Sequence, residues 1–267
     1  QRKLDEVMGR DLSVLDLVVL MIDGVHFADH VVLVAVGVDA TGRKHVLGLR
    51  EGATENSTAC KALLADLEQR GLRTDRAILV VIDGSQALRK AIRDVFGTRA
   101  LVQRCQEHKR RNVADELPLS VRPSVRRAMN QAYKTRDADR AKRLLDNLIR
   151  SLADGHPGAA ASLREGLDET LTVRRLGLPE WLERTLVTTN LIENLFSRVR
   201  EIARRVKRWR GGTMILRWSA AGALEAEPRF HRLRGHAGIP TLVAALRAHD
   251  AKRAGGEASV DAVKKAA

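Results

Sequence analysis

The first hundred residues alternate short apolar runs with amphipathic ones. "LVVLMI" (17–22) reads as a buried strand, and the valine-rich "VVLVAVGVD" (31–39) reads as a second. "ATGRK" (40–44) supplies a turn, and "HVLGLREG" (45–52) returns as a third strand, so the chain opens with an antiparallel meander. "ENSTACKALLADLEQRG" (55–71) has capping residues at its start, Leu63, Leu64 and Leu67 inside and Gly71 at its end, which predicts a helix. "AILVVI" (77–82) is a fourth strand. Residues 85–96 form a helix with Leu88, Ile92, Val95 and Phe96 on one face, and "RALVQ" (99–103) is a short fifth strand.

From about residue 105 the strand signal stops. Residues 106–186 read as helical, with breaks at Pro118, Pro123, Gly155-His156-Pro157 and Pro179. A last long helix, 190–206, carries Ile192, Leu195, Val199, Ile202 and Val206 at helical spacing. Three antiparallel strands followed by helix, strand, helix, strand predict an α/β protein with a five-stranded mixed sheet covered by helices. A ribonuclease H-like sheet has this order. The pattern divides the chain into a short N-terminal remnant (1–14), a first part of the core (15–105) and a helical insertion (106–186). A completing part (187–248) holds the last helix and a basic segment, and a polar tail (249–267) is expected to fray.

Charge narrows the partner. Lys and Arg number 47 against 33 Asp and Glu, a formal net charge of +14, which favours a polyanion. Two cysteines, Cys60 and Cys105, make no disulfide framework and point to a reducing compartment. No apolar run approaches the roughly 18 to 20 residues of a membrane span, and no secretory signal is apparent.

Two apolar runs deliver an aspartate into a glycine: "MIDG" ends at Asp23 and "VIDG" at Asp83. Asp-Gly is a turn signal, and Asp83 with Gln86 could cap the following helix. If the first and fourth strands lie side by side, however, both carboxylates emerge at one edge of the sheet, where they repel unless a cation sits between them. Hard oxygen donors select Mg²⁺ or Mn²⁺. Glu193 in "TTNLIENLFSRVR" (188–200) is the candidate third acid. Asn190 as N-cap with Glu193 three residues on also resembles a capping box, and spacing alone does not decide between the two.

Basic residues concentrate in two places. "HKRRN" (108–112) follows the fifth strand, and "RVREIARRVKRWR" (198–210) extends the Glu193 helix. Arg104, Lys109, Arg110, Arg111, Arg204, Lys207, Arg208 and Arg210 are the candidate contacts to a polyanion, to DNA phosphates if the partner is nucleic acid. Trp209 among them is a stacking candidate or a packing anchor, whereas Trp181 and Trp218 read as core. Cys105 and His108 give half the spacing of a zinc site, but Cys60 is the only other thiol and no second ligand pair is apparent.

In order, "MIDG", "GVDATGRKHVLGLREGATEN", "VIDGSQAL", "QRCQEHKRRNV", "HPGAAASLREGLDETL", "TTNLIEN" and "VKRWRGGTMILRW" closely resemble the Mutator-type transposases of bacterial insertion sequences. The resemblance runs from about residue 15 to about 247. It implies a ribonuclease H-like core with an all-helical insertion before the glutamate, and it places the family's Asp-Asp-Glu acids on Asp23, Asp83 and Glu193. It further implies Mg²⁺-dependent DNA cleavage and strand transfer, with two ions flanking the scissile phosphate. Action as a dimer or higher oligomer on DNA in the bacterial cytoplasm is also implied. The Cys-x₂-His signature is shared, with no role assigned to Cys105 or His108. Family members carry an N-terminal DNA-binding region ahead of the first aspartate, and almost nothing precedes Asp23 here. Little preference for the element's own ends is therefore expected. A nuclease on the same fold without strand transfer, or a non-transposing DNA-binding relic, are the rival readings.

Overall fold

The computed structural model describes residues 1–27, 30–203, 206 and 211–266, and of residues 198, 202, 203 and 256–266 the backbone alone. After a short helix α1 (Arg2–Met8) come β1 (Leu17–Phe27), β2 (His30–Asp39) and β3 (Lys44–Glu51). Then follow α2 (Ser57–Gln69), β4 (Ile78–Ile82), α3 (Gln86–Phe96) and β5 (Ala100–Arg104). The sheet has the order β3-β2-β1-β4-β5, antiparallel across the first three strands and parallel from β1 to β4 to β5. This mixed sheet is consistent with the ribonuclease H-like order.

Strand alternation builds both faces of the core. Leu20, Ile22, Leu33, Ala35, Val80 and Ile82 pack on one side against Leu63, Leu64 and Leu67 of α2 and Leu88, Ile92 and Phe96 of α3. Val19, Met21, Val34, Val36, Leu79 and Val81 point to the other side, where α10 (Asn190–Ala203), α11 (Gly212–Ala226) and α12 (Ile239–Ala266) lie. At residues of odd number, then, β1 and β4 face α10. Between β5 and α10 the chain is helical: α4 (Gln106–Asp115), α5 (Arg122–Lys134), α6 (Ala138–Leu152), α7 (Pro157–Arg164), α8 (Thr172–Arg175) and α9 (Glu180–Leu186). Most of this stretch has its own apolar core, including Val113, Met129, Leu145, Ile149 and Leu163.

Several sequence expectations change. β1 does not end at Asp23; it stays paired with β2 as far as Phe27, so Asp23-Gly24 is not a turn. The polar stretch from 249 continues α12. Its first two residues are tied to the sheet side of the core, where the Asp250 carboxylate accepts from the Ala77 N–H at 2.8 Å and the His249 ring meets the Thr98 carbonyl at 2.9 Å. Trp218 is half-buried, and Trp181 is 55% exposed and not in the core.

Arg104 and Lys109 are not surface cations either. Arg104, 2% exposed, donates to Glu169 at 2.7 Å, to Glu165 and to the Gly84 carbonyl at 2.9 Å, and Gly166, at φ +62°, leaves room for its guanidinium. Buried Lys109 donates to the carbonyls of Ser162 at 2.6 Å and Glu165 at 2.7 Å. Both point inward, Arg104 tying β5 to the helical stretch and Lys109 tying α4 to the end of α7, so neither is free to meet a phosphate. Gln103 seals the same edge, donating to the Thr170 carbonyl and accepting from the Val173 N–H, each at 2.9 Å.

Arg104→Met should therefore destabilise the protein by about 3 kcal/mol, because Glu165 and Glu169 lose a buried partner. Arg111→Met, on an exposed residue, should cost less than about 0.5 kcal/mol. Urea unfolding measures both, and equal midpoints for the two variants would refute the structural role given to Arg104.

Candidate metal centre at the sheet edge

The site begins with register. Ile22 of β1 pairs with Ile82 of β4, so Asp23 and Asp83 are one step further along neighbouring parallel strands. Both carry odd numbers and share the face of Met21 and Val81, toward α10. β4 stops at Ile82 and Gly84 turns away at φ +124°, a conformation that suits glycine. The carboxylates are thus left where the pairing of β1 with β4 ends.

Asp83 is held on both oxygens. The Thr54 hydroxyl donates to Oδ2 at 2.6 Å and the Ser85 N–H to Oδ1 at 2.9 Å. Ser85, not Asp83, caps α3: its hydroxyl oxygen accepts from the Leu88 N–H and donates to the Thr54 carbonyl. Asp23 is 4% exposed, and its Oδ1 accepts from the Gly24 N–H at 2.8 Å. Burial raises its pKa to about 6; His108 and a hydrogen bond from Thr189 pull it down, and the Asp83 charge pushes it up.

α10 begins at Asn190, so the residue before it is Thr189, whose carbonyl accepts from the Ile192 and Glu193 N–H groups. Asn190 is therefore not the N-cap, and the capping-box alternative for Glu193 lapses. Ile192, Leu195, Phe196 and Val199 bury the helix on the core, and Glu193 remains half-buried at the stripe's border. There its carboxylate joins Asp23 and His108: one ligand atom from each lies within 4.8 Å of the others. Among the described residues no thiol belongs to this cluster.

His108, from the first turn of α4, is the member that sequence reasoning left without a role. Its pKa is raised to about 9, chiefly by a hydrogen bond with Cys105 and, against burial, by the Asp23 and Asp83 charges. Burial pushes the Cys105 thiol up, but the imidazole beside it outweighs that and holds it below its ordinary value.

Asp23, Asp83, His108 and Glu193 line one cavity of about 630 Å³, together with Thr54, Ser85, Arg111 and Arg200. A single ion about 2.1 Å from each of its ligands needs donors no more than about 4.2 Å apart, so the Asp23–His108–Glu193 cluster can hold one after drawing in slightly, with the ion displacing the His108 proton. Asp83 lines the same cavity without belonging to that cluster. Of the expected DNA contacts, Arg111 is exposed at the cavity wall, whereas Arg110 is engaged by Glu107 at 2.7 Å and lies over the Tyr133 ring. Arg204, Lys207, Arg208 and Arg210, with Trp209, lie outside the described residues. Thr54, Thr189 and Arg200 were missed. The first two stand in the "EGATEN" and "TTNLIEN" stretches, but their bonds to the aspartates cross long chain separations.

Asp23 gives the site a signature in the metal-free protein. Its folded pKa lies above the ordinary 3.8, so from about pH 6 down to about 4 the native chain holds a proton that the unfolded chain releases. Stability thus falls as pH rises through this window and stays reduced above it. Asp23→Asn should add on the order of 2 kcal/mol at pH 7 in EDTA and flatten that pH dependence. Mg²⁺ or Mn²⁺ should raise the melting temperature of the wild type and not of this variant. A variant less stable than wild type in EDTA would contradict the buried-charge account.

Known proteins resemble this chain along most of its length. Residues 1–227 match the family described as "Transposase, Mutator family". The transposase for insertion sequence element IS6120 of Mycolicibacterium smegmatis is 34% identical over 198 residues, 72% of this chain and 60% of the relative. That for IST2 of Acidithiobacillus ferrooxidans is 30% identical over 66% of this chain and 58% of the relative. That for IS256 in transposon Tn4001 of Staphylococcus aureus is 30% identical over 62% and 42%. The matched region thus spans no more than 60% of the length of these relatives. With residues 1–227 matched, the chain belongs to the Mutator family of insertion-sequence transposases.

Proposed function

We propose that this chain cleaves DNA strands and joins the freed ends to a target, on a ribonuclease H-like core with an all-helical insertion. Asp23, Asp83 and Glu193 are the catalytic acids of this reading, with Mg²⁺ or Mn²⁺ as the ion. The observation that carries it is the meeting of acids from β1, the end of β4 and α10 in one cavity, beside His108 and the exposed cations Arg111 and Arg200.

When bound, the ion supplies Lewis-acid polarisation of the scissile phosphate and a more acidic oxygen nucleophile. The chain's own groups do the rest. Asp23 and Glu193, with His108, offer donors from three separate elements, so their spacing is fixed by packing of the core and not by one loop. Thr54 and the Ser85 N–H keep Asp83 oriented. Arg111 and Arg200 stand where they can neutralise phosphates on either side of the reacting one. In the first step a water oxygen bonds to phosphorus and the 3′-oxygen leaves. In the second that 3′-hydroxyl attacks a phosphate of the target, one P–O bond forming as another breaks.

Asp23→Asn, Asp83→Asn and Glu193→Gln should each reduce strand cleavage by more than about a hundredfold, since even residues that only orient a ligand often cost about 10- to 100-fold. Supercoiled plasmid carrying the element's ends, assayed with Mg²⁺ and Mn²⁺, reads cleavage and joining together. Undiminished activity in any one variant removes that residue from the site, and cleavage without joining reduces the protein to a nuclease.

A further inference from the structure

Across α10 from Glu193 lies a second cavity, of about 420 Å³. Lys44, Arg184, Arg229, His231 and Arg234 line it, and among the described residues no carboxylate does, Arg184 being paired with Glu180 outside the lining. Arg229 and Arg234 are exposed, and among the described residues neither makes an ion pair with an acid. Lys44 lies with its ammonium 5.7 Å from the Phe230 ring, and burial lowers its pKa. A lining of one sign focuses the field of a basic protein onto this cavity and favours a polyanion there.

The second observation is Trp181. More than half of it is open to water, and the guanidinium groups of Arg184 and Arg234 stand 5.4 and 4.6 Å from its ring centre. Both arginines line the cavity, which places the indole at its margin. An exposed indole flanked by two guanidinium groups presents its ring beside phosphate-binding groups, and a base can stack on it where one guanidinium turns to a phosphate instead. Base stacking on aromatic side chains with backbone neutralisation is how unpaired nucleic acid is held.

α10 connects this cavity with the acid site. Asn190 and Asn194 line the basic cavity, Glu193 and Arg200 line the acid cavity, and the exposed ridge of α10, with Asn194 and Ser197, runs between. A strand crossing that ridge reaches both. We infer that the basic cavity holds an unpaired DNA strand next to the cleavage site, its phosphates on Arg229 and Arg234 and a base on Trp181. The inference rests on the transposase reading for the presence of DNA, and it adds a preference for single-stranded over fully paired flanks.

Binding by the full chain in EDTA tests it, using fluorescence anisotropy with a blunt duplex and the same duplex bearing a thymidine overhang. The wild type should prefer the overhang. Trp181→Ala should lose about tenfold on overhang DNA and little on blunt DNA, and Trp181→Phe should restore most of the loss. Arg229→Ala combined with Arg234→Ala should weaken binding to both DNAs and reduce the salt slope by about two. Unchanged overhang affinity in Trp181→Ala, an equal loss on both DNAs, or no measurable wild-type binding overturns the inference. Since EDTA removes metal-dependent cleavage from this assay, the two readings fail separately. Overhang binding through Trp181 without any cleavage in Mg²⁺ sinks the transposase reading alone. Cleavage without dependence of binding on Trp181 sinks only the strand site.

Discussion

Parallel pairing of β1 with β4 sets everything else. With Ile22 opposite Ile82, two aspartates come to neighbouring positions on one face of the sheet, the face that α10 covers. A slip of one residue in either strand would send one carboxylate to the opposite side, among Leu63, Leu88 and the other side chains of α2 and α3. Register here is fixed by apolar packing on both faces, so the stability of the core and the geometry of the site have one cause.

The same packing makes the site costly to the fold. Asp23 is buried beside Asp83, and its raised pKa shows that its charged form is disfavoured where it stands. His108 offsets part of that cost, and its own pKa is raised first by its hydrogen bond with Cys105 and then by the Asp23 charge. Thr189 and Thr54 add hydrogen bonds to the two aspartates. A region that gathers the carboxylates of Asp23, Asp83 and Glu193 into one cavity in this way is poised to accept a cation.

Much of this was legible in the chain, and the misses share a cause. Once β1 and β4 are neighbours, the runs "LVVLMID" and "ILVVID" bring both aspartates to one edge of the sheet, and the stripe from Ile192 to Val199 is enough to put Glu193 at its border. Asp-Gly misled at Asp23, because pairing with β2 overrides a local turn preference. Arg104 and Lys109 read as part of a basic patch, yet Lys109 stands four residues before buried Val113 and so shares the inward face of α4. That periodicity was a usable signal. Trp181 had none: whether an indole near a proline is buried depends on the segment around Arg234, far along the chain, that packs beside it.

Manganese binding followed by electron paramagnetic resonance tests the central claim most directly, because it sees the ion and its ligands without relying on activity. The account predicts one tightly held Mn²⁺ per chain with a ¹⁴N hyperfine coupling from His108. Coupling should vanish in His108→Ala, and the bound ion should be lost in Asp23→Asn and in Glu193→Gln. Mn²⁺ that does not bind, or that binds equally well in the wild type and in all three variants, would contradict it.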